Sequence, residues 1–447
     1  MDLEQRRKLA IPLLLHYLHQ MTELISKETA RTSPATNSVK RRGEKQERSL
    51  QRRGDIAAAA TEILALHGIS GLTHRLVARN AGVSLAATTY YFDTRLEMVA
   101  EASRRTLLGH SAAFRRTVTR LKSGPKHPRL FRKLVIRLIH NEANRDKNGA
   151  LCWAEITLNA RYHEESLELT RQWFAELMEL WLEASDTSGV ARPDEQSGSA
   201  IDLVIGLLLV TISLGLTAEQ LDAVLLRGAD PLDAWADVQE LAPMTGPPPR
   251  ATRKAAETRE KIILAAIEIL QAEGLGSITY RSIGARAGMT AARLFYHFPT
   301  IDGLLAAAQQ RLFEDSKERY RMAATEMGGI IDVEGLIDRS AVVLIREGTQ
   351  FADKNMANYS VWLQAARNPE LRPMIWSGIA DQYLAWQRLL APLKPHQQPL
   401  DALLVFAIFI GKQFRTLSTG STLEDLAMVR SEFSRDFVAL FNSKYWF

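Results

Sequence analysis

An internal repeat without gaps constrains this chain more than any other feature of its sequence. The segment LTHRLVARNAGVSLAATTYYF at residues 72–92 returns as ITYRSIGARAGMTAARLFYHF at residues 278–298. With a constant offset of 206, residues 53–98 and 259–304 are identical at 16 of 46 positions. Because this spacing is far longer than the roughly 20 to 50 residues of solenoid repeats, the pattern predicts two whole domains rather than stacked units.

Each copy predicts three short helices with a tight turn before the third. In the first copy, apolar residues recur at helical spacing across residues 56–64, and Gly68 is placed to end that helix. Thr73 and Ser84 are suited to cap the second and third helices, and Gly82 lies in the sharp turn between them. The corresponding residues of the second copy are Gly274, Thr279, Gly288 and Thr290. Both copies therefore predict a helix-turn-helix (HTH).

The third helix of each copy resembles that of the TetR family of transcriptional regulators. In that family the helix typically ends in T-L-Y-Y-H-F, and the chain has TTYYFDTR in the first copy and RLFYHFPT in the second. The resemblance implies an all-α chain with two tandem TetR-like units, each an N-terminal HTH three-helix head followed by a helical ligand-binding and dimerisation body. Arg95 takes the place of the family's usual phosphate-binding lysine in the first copy. Ile301 occupies that place in the second copy and cannot bind phosphate, so we expect the second HTH to bind the DNA backbone more weakly.

The repeat and the changes in composition predict six segments. They are an N-terminal helical extension (1–39), a first HTH DNA-binding domain (40–100), a first helical regulatory and dimerisation domain (101–241), a Pro-rich linker (242–250), a second HTH DNA-binding domain (251–306) and a second helical regulatory and dimerisation domain (307–447). In the TetR family the last two long helices of each subunit form a four-helix bundle with those of the partner subunit. The resemblance therefore implies an intrachain pseudo-dimer, and it leaves open whether two chains associate further.

The geometry of an HTH predicts which residues meet DNA, because the start of the third helix faces base edges while flanking groups bind phosphates. Matched to the family motif, the expected DNA contacts are Arg52, Arg53, Arg75, Ser84, Leu85, Ala86, Ala87, Thr89, Tyr91 and Arg95 in the first half, and Arg253, Arg281, Thr290, Ala291, Ala292, Arg293 and His297 in the second. Arg293 can donate a bidentate pair to guanine, whereas Ala87 offers only an apolar contact, so we expect an asymmetric operator. Four aromatic residues are expected instead to pack each head against the helix that follows it, namely Tyr90, Phe92, Tyr296 and Phe298.

Basic residues are concentrated immediately before each HTH. Residues 40–53 contain seven basic and two acidic residues, so this segment alone accounts for the net charge of +5. Residues 250–261 contain five basic and two acidic residues. Such segments beside an HTH are the electrostatic footprint expected for phosphate contact. The alternative interpretation is a solvated, charged linker.

The composition indicates a soluble globular protein, with 46% apolar and 24% charged residues. The single cysteine, Cys152, excludes an internal disulfide and fits a reducing cytoplasm; we expect it to be a small buried residue rather than a redox sensor. An apolar helix is predicted after Pro12, but Pro12, His16 and His19 interrupt the run and do not fit a signal peptide. We interpret it as a packing or dimerisation helix, with attachment to a membrane surface as the alternative.

Apolar periodicity predicts an all-helical body in each half. The expected helices cover residues 96–121, 131–139, 151–158, 167–182, 201–216, 375–390 and 400–414, with a loop at 185–199. The run at 201–216 is the most apolar in the chain, but Asp202 interrupts it and a membrane span needs about 20 residues. A helix that is apolar nearly all round must be buried, so we expect this helix at a subunit-type interface.

The sequence contains no motif for catalysis or metal binding. Gly-rich phosphate loops, HExxH, paired Cys-x-x-Cys and GxSxG are all absent from it. His163, Glu164 and Glu165 could form one corner of a metal site, but a solvated helix face is the better interpretation because no second ligand pair is placed by the spacing. We therefore expect no enzymatic activity, no cofactor and no metal.

Together these features predict a cytoplasmic, sequence-specific DNA-binding transcriptional regulator. Four tryptophans of the bodies, Trp153, Trp173, Trp362 and Trp376, are expected to be core residues, and the alternative is that they line an apolar effector pocket. In that interpretation effector binding changes the separation of the two HTH domains and releases a repressor from its DNA. The predicted partners are a double-stranded DNA operator and a small hydrophobic effector, and no membrane. The alternative function is a helical ligand-binding or scaffold protein with vestigial HTH domains.

Overall fold

The computed structural model describes residues 37–124, 126–190, 193–240, 252–326 and 332–441. The predicted N-terminal helix after Pro12 and the Pro-rich linker at 242–250 lie outside these residues. The chain divides into two compact units between Asp55 and Ile56. In the first unit, the described residues 37–55 are helical and belong to helix α1 (Asn37–Gly71), which contains a kink at Gly68.

The second unit, from Ile56 onward, is helical and has no strand among its described residues, which confirms the predicted all-α class. After α1, its helices are α2 (His74–Asn80), α3 (Leu85–Tyr91), α4 (Arg95–Lys122), α5 (Pro128–His140), α6 (Lys147–Asn159), α7 (Glu164–Thr187), α8 (Pro193–Leu214), α9 (Ala218–Leu225), α10 (Pro231–Ala234), α11 (Arg253–Glu273), α12 (Tyr280–Ala287), α13 (Ala291–His297), α14 (Ile301–Glu326), α15 (Val333–Thr349), α16 (Ala352–Arg367), α17 (Arg372–Leu390), α18 (Pro399–Ser418) and α19 (Leu423–Phe441). One turn of π-helix, Asn141–Arg145, joins α5 to α6.

The order and lengths of the helices recur along the chain. Helices α1 to α3 and α11 to α13 are each one longer helix followed by two short ones. The next helices, α4 and α14, are 28 and 26 residues long, and the apolar helices α8 and α18 are 22 and 20 residues long. The correspondence of helices thus accompanies the sequence repeat, with α4 matching α14, α6 matching α16 and α8 matching α18.

Helices α8 and α18 pack closely against each other. A Cβ on Gly206 would overlap the carbonyl oxygen of Ala407, and one on Gly411 would overlap the carbonyl oxygen of Asp202. The distance between packed helices depends on the side chains at the contact, so two glycines at equivalent places allow the backbones to touch twice. Residues 401–414 of α18 are all buried. By length and composition Gln196–Leu214 could cross a membrane, but 89% of its apolar window is buried inside the protein.

A buried network of charges lies across this helix pair. The Asp202 carboxylate on α8, fully buried, accepts from Lys412 Nζ at 2.6 Å and from Arg415 Nε at 2.7 Å, both on α18. Glu432 on α19 accepts from the same two cations at 2.8 Å. Asp436 lies 3.3 Å from Lys412 Nζ and also accepts from Ser199. Buried charges are tolerated only when they are paired, and here each cation meets at least two carboxylates.

The predicted loop at 185–199 is wrong for most of its length. Helix α7 continues to Thr187, and α8 begins at Pro193. Serine and proline suggested a loop because Ser side chains compete with the helix for backbone hydrogen bonds. Here they donate back into the helices instead: Ser185 Oγ donates to the Leu182 carbonyl at 3.0 Å and Ser197 Oγ to the Pro193 carbonyl at 2.6 Å. Proline fits the first turn of a helix, where its missing N–H is not needed.

Candidate nucleic-acid interface

The first HTH is built by the residues that the sequence indicated. Thr73 Oγ1 accepts from the Leu76 amide at 3.2 Å and caps α2, and Ser84 Oγ accepts from the Ala87 amide at 3.2 Å and caps α3. Gly82 has a φ of 64° in the turn between them, a left-handed conformation that side chains disfavour. These contacts fix the start of α3, the end of the helix that an HTH presents to base edges.

The second HTH has N-terminal caps and a turn glycine at the same places, with partly different hydrogen-bond partners. Thr279 caps α12 in a reciprocal arrangement with Ser282, each side chain accepting from the other's amide at 3.0 Å. Gly288, with a φ of 67°, ends α12 in the left-handed conformation. Thr290 Oγ1 accepts from the Arg293 amide at 3.4 Å and caps α13. Both N-terminal caps predicted for this copy, Thr279 and Thr290, and the glycine of its turn are therefore present, and Ser282 is an additional partner of Thr279 that was not predicted.

The aromatic residues of the third helices were predicted only in part. Phe92 and Phe298 are buried as expected, but the prediction that Tyr90 and Tyr296 also pack inward is wrong, since they are 79% and 81% exposed. Tyr90 and Tyr296 lie inside α3 and α13, whereas Phe92 and Phe298 follow the ends of these helices in an extended backbone conformation and are buried. Tyr90 and Tyr296 therefore project from the heads beside the predicted DNA contacts and add an exposed phenolic donor to each head.

Most of the predicted DNA contacts lie at the surface. The exposed ones are Arg52, Arg53, Arg75, Ser84, Leu85, Ala86, Thr89, Arg95, Arg253, Arg281, Thr290, Ala291, Ala292 and Arg293. The half-buried ones are Ala87, Tyr91 and His297. Thr89 Oγ1 donates to the Ala86 carbonyl at 3.1 Å, so its hydroxyl proton must turn away from that carbonyl before it can be donated to a phosphate oxygen. The interface predicted from the sequence is thus accessible on both HTH domains.

Two arginines of the second HTH donate hydrogen bonds to other groups of the same domain. Arg293 Nη2 donates to Thr258 Oγ1 on α11 at 3.2 Å, and Arg259 Nη1 donates to the His297 carbonyl at 2.6 Å. Burial, followed by the positive charges of Arg293 and Arg259, lowers the pKa of His297. At neutral pH its imidazole is therefore uncharged, so it can donate a hydrogen bond to phosphate but adds no charge attraction.

A residue from the second half holds the first HTH to the bodies. Arg367, at the end of α16, donates from Nε to the Ala65 carbonyl at 2.8 Å and from Nη2 to the Leu64 carbonyl at 3.1 Å. Its Nη1 donates to Glu155 Oε1 on α6 at 2.6 Å, and Glu155 Oε2 accepts from the Ile69 amide at 3.4 Å. A cation at the end of a helix satisfies carbonyl groups that have no partner within the helix. We call this set, Arg367 and Glu155 with the end of α1, the α1 clamp.

The four predicted pocket tryptophans are all buried, as their core interpretation requires. The Trp153 ring lies 6.0 Å from Trp173, and the Trp376 ring lies 5.8 Å from Trp235. Trp362 borders a small cavity of about 20 Å³. A larger apolar cavity of about 150 Å³ lies between α14, α15, α17 and α18, and its lining includes Leu336, Arg339, Val343, Trp386, Leu389 and Phe409.

Histidine and carboxylate groups meet at a place that the sequence did not indicate. His163 lies immediately before α7, with exposed Glu164 and Glu165 beside it, and Glu165 forms an ion pair with Arg104 at 3.2 Å. Within the described residues, the group whose atoms could surround a metal ion is instead His110, Glu142 and Asp146. His110 is 32 residues from Glu142 in the sequence, so no local spacing could reveal the cluster.

Two family models match segments of the second half of the chain. Residues 262–308 match the family model described as bacterial regulatory proteins, tetR family, and residues 332–439 match the one described as tetracyclin repressor-like, C-terminal domain. The crystal structure of the multidrug binding protein EbrR complexed with imidazole is similar at 24% identity and a TM-score of 0.32, over 40% of this chain and 93% of that chain. A candidate transcriptional regulator, SCO7518 from Streptomyces coelicolor A3(2), is similar at 20% identity and a TM-score of 0.30, over 39% of this chain and 99% of that one. No curated protein matches the chain.

Proposed function

We propose that this chain, a TetR-family DNA-binding transcriptional regulator by the matches of residues 262–308 and 332–439, carries both DNA-reading domains of the functional unit in one polypeptide. In this proposal the first and second halves pair within the chain as an intrachain pseudo-dimer. The unit binds an asymmetric operator and represses transcription until a small apolar effector binds.

The charge network between α8 and α18 is the observation that carries the proposal. Its anion Asp202 is on α8 and its two cations are on α18, so it can form only between two different helices. With Gly206 and Gly411 placed in register, Ala407 stands on α18 where Asp202 stands on α8. In the same register α8 has Leu207 and Val210 at the places of the two cations on α18. Two copies of α8 would therefore bury Asp202 without a cation, which costs several kcal/mol. Pairing within one chain avoids that cost.

Adjacency of the two HTH domains also supports the proposal. A Cβ on Gly276, in the single turn of 3-10 helix that follows α11, would overlap the Ser70 side chain in the first domain. The third helices α3 and α13 are thus part of one compact unit. An HTH pair of this kind reads half-sites about one helical turn apart.

Differences between the two third helices lead us to propose an asymmetric operator. Arg293 is exposed at the start of α13 and can leave Thr258 to bind guanine, a contact that distinguishes bases by roughly 1 to 3 kcal/mol. Ala87 at the same place in α3 offers a methyl group alone. The basic residues at 40–53 and 250–261 would supply phosphate contacts that do not depend on sequence.

We place the effector in the apolar cavity of the second body rather than at the four predicted tryptophans. Its wall combines the rings of Trp386 and Phe409 with the guanidinium of Arg339. That lining suits a flat apolar molecule with one hydrogen-bond acceptor or negative charge. Titration with such compounds should change the tryptophan fluorescence of the native chain and weaken DNA binding, and Trp386→Phe should remove most of the fluorescence change. A compound that weakens DNA binding without any effect of Trp386→Phe on the signal would place the effector elsewhere.

The decisive experiment is selection of bound sequences from a random duplex library, together with the mass of the protein–DNA complex in solution. One chain bound to an asymmetric consensus is the expected result. A perfect palindrome bound by two chains would refute the pseudo-dimer but would still agree with a DNA-binding regulator. Binding without a consensus that weakens steeply with salt would instead indicate phosphate contact alone, and would favour the scaffold with vestigial HTH domains.

A further inference from the structure

Three potential metal ligands converge beneath the first HTH. His110 lies on α4, Glu142 lies in the π-helix after α5, and Asp146 caps α6 by accepting from the Gly149 amide at 3.2 Å. One ligand atom from each residue lies within 4.8 Å of the other two, and His110 Nδ1 is 3.9 Å from Glu142 Oε2. An imidazole and two carboxylates are therefore fixed on three different elements around one point.

The Glu142 carboxylate is poorly satisfied in the protein. Its side chain is 20% exposed, yet Oε2 is buried and accepts no hydrogen bond from the residues that the structure describes. His110 Nδ1 lies 3.9 Å from this atom, beyond hydrogen-bond distance. A buried carboxylate oxygen in this position is costly unless a cation neutralises it.

The corresponding carboxylate in the second half, that of Glu347, is paired with a cation. Glu347, like Glu142, lies four residues before the residue that caps the next helix. Both of its oxygens accept hydrogen bonds from the Arg319 guanidinium, each at 2.8 Å. Ala113 stands on α4 where Arg319 stands on α14. The first half therefore keeps the carboxylate and lacks the cation that neutralises it in the second half.

We propose that His110, Glu142 and Asp146 bind a divalent first-row transition metal ion, with Zn²⁺ as the reference ion. One nitrogen and two oxygen ligands are a set that Zn²⁺ and its neighbours accept, whereas Mg²⁺ and Ca²⁺ prefer oxygen alone. Bond lengths of about 2.0 to 2.2 Å place tetrahedral ligand atoms about 3.3 Å apart, so the side chains must rotate inward by about 1 Å.

The site has room for a further ligand and lies against the first HTH. A cavity of about 500 Å³ borders all three residues, and its lining also includes Thr61 and Glu62 of α1. Three protein ligands with open space in the fourth direction are the arrangement of a metal site that admits water or a small molecule. Metal binding would link α4 to the start of α6 beside the first HTH alone, because the second half has Ser316 and Phe351 at the places of His110 and Asp146.

The test measures Zn²⁺ binding to the full-length protein, so it does not depend on DNA binding. After removal of metal with a chelator, Zn²⁺ is titrated in competition with a chromophoric chelator. The native chain should bind one ion per chain through this site. Glu142→Gln and Asp146→Asn, which keep shape and the helix cap, and His110→Ala should each weaken that binding by at least about tenfold, since even outer-shell changes cost 10- to 100-fold.

His163→Ala is the matched control, because it removes a histidine that also has two carboxylates beside it in the sequence. This variant should bind Zn²⁺ as the native chain does. Far-UV circular dichroism identifies any variant that fails to fold, and the two amide variants then decide. Equal affinity in the native chain and both amide variants, or no binding by the native chain, would overturn the proposal. Co²⁺ absorption gives an independent check, since nitrogen and oxygen ligation at the site should give visible bands that Glu142→Gln abolishes.

Discussion

Replacing Lys412 with methionine should test the charge network between α8 and α18 most directly. Methionine keeps most of the length and apolar volume of the lysine stem and removes only the ammonium group. Lys412 is 1% exposed, and its Nζ contacts Asp202 at 2.6 Å, Glu432 at 2.8 Å and Asp436 at 3.3 Å. After the change, three carboxylates would share the single guanidinium of Arg415.

The expected cost is about 3 to 5 kcal/mol at pH 7, the range for removing one partner of a buried ion pair. The cations hold the pKa of Glu432 down at about 2, while burial raises the pKa of Asp436. Without Lys412 both carboxylates bind protons more readily, so lower pH should relieve part of the repulsion. The destabilisation by Lys412→Met should therefore be larger at pH 8 than at pH 5.

The assay is urea unfolding combined with hydrogen exchange of the amides in α8 and α18. A loss of about 4 kcal/mol corresponds to exchange about 10³-fold faster for amides that exchange through opening of this helix pair. Asp202→Asn in the Lys412→Met background should recover at least about 1 to 2 kcal/mol, because it removes one of the stranded carboxylates. Asp202→Asn alone should be destabilising.

Two results would refute this reasoning. One is a Lys412→Met variant within about 0.5 kcal/mol of the native chain. The other is additivity of Lys412→Met and Asp202→Asn, since residues in contact within one network show interaction energies of about 0.5 to 3 kcal/mol. Either result would mean that the apolar contacts around Gly206 and Gly411 hold α8 to α18 and that the charges contribute little.

Three further predictions concern the α1 clamp, the buried glutamate and the third helix of the second HTH. Arg367→Met removes the donors to the end of α1, so amide exchange should speed up across residues 56–71 and not in α12, as read by mass spectrometry; uniform acceleration would contradict a local role. Burial, and then the charge of Asp146, raise the pKa of Glu142 from 4.5 to about 7, so the contribution of this group to native stability should fall as pH rises between these values, by on the order of 2 to 3 kcal/mol. In metal-free urea unfolding, Glu142→Gln should reduce this fall with pH. Parallel pH profiles of stability for the native chain and the variant would show that the pKa of Glu142 is not shifted. Arg293→Ala should relax base preference by about 1 to 3 kcal/mol at one half-site in binding assays with substituted duplexes, whereas losses at both half-sites would show that its assignment is wrong.

The parts of the fold that depend on local sequence could be predicted. Caps and turns involve residues within a few positions of one another, so Thr73, Ser84 and Gly288 identified the HTH domains without a structure. Apolar periodicity likewise located α4 and α18 to within a few residues of their ends. The error at Tyr90 and Tyr296 came from transferring a motif as a block, although the tyrosines lie inside the third helices and Phe92 and Phe298 follow their ends in an extended conformation.

The long-range parts could not be predicted, because no pattern within one segment specifies its partner. Arg367 and Leu64 are 303 residues apart, and Lys412 and Asp202 are 210 apart. In the sequence, Asp202 was only a charged residue that interrupts the apolar run of α8. The cations that pair with it, Lys412 and Arg415, could be identified only from the packing of α18 against α8. The cluster of His110, Glu142 and Asp146 likewise depends on how α4 meets the π-helix after α5.

The close contact of α8 with α18 also determines how the chain must fold during synthesis. Helix α8 begins at Pro193 and its partner α18 begins at Pro399, so about 200 residues are translated between them. At roughly 5 to 20 residues per second, this interval lasts about 10 to 40 s on a ribosome. During that time the most apolar helix of the chain has left the ribosome without the surface that will cover it. The nascent first half is therefore the stage at which a chaperone would be needed most, and any delay in translating the second half should increase aggregation.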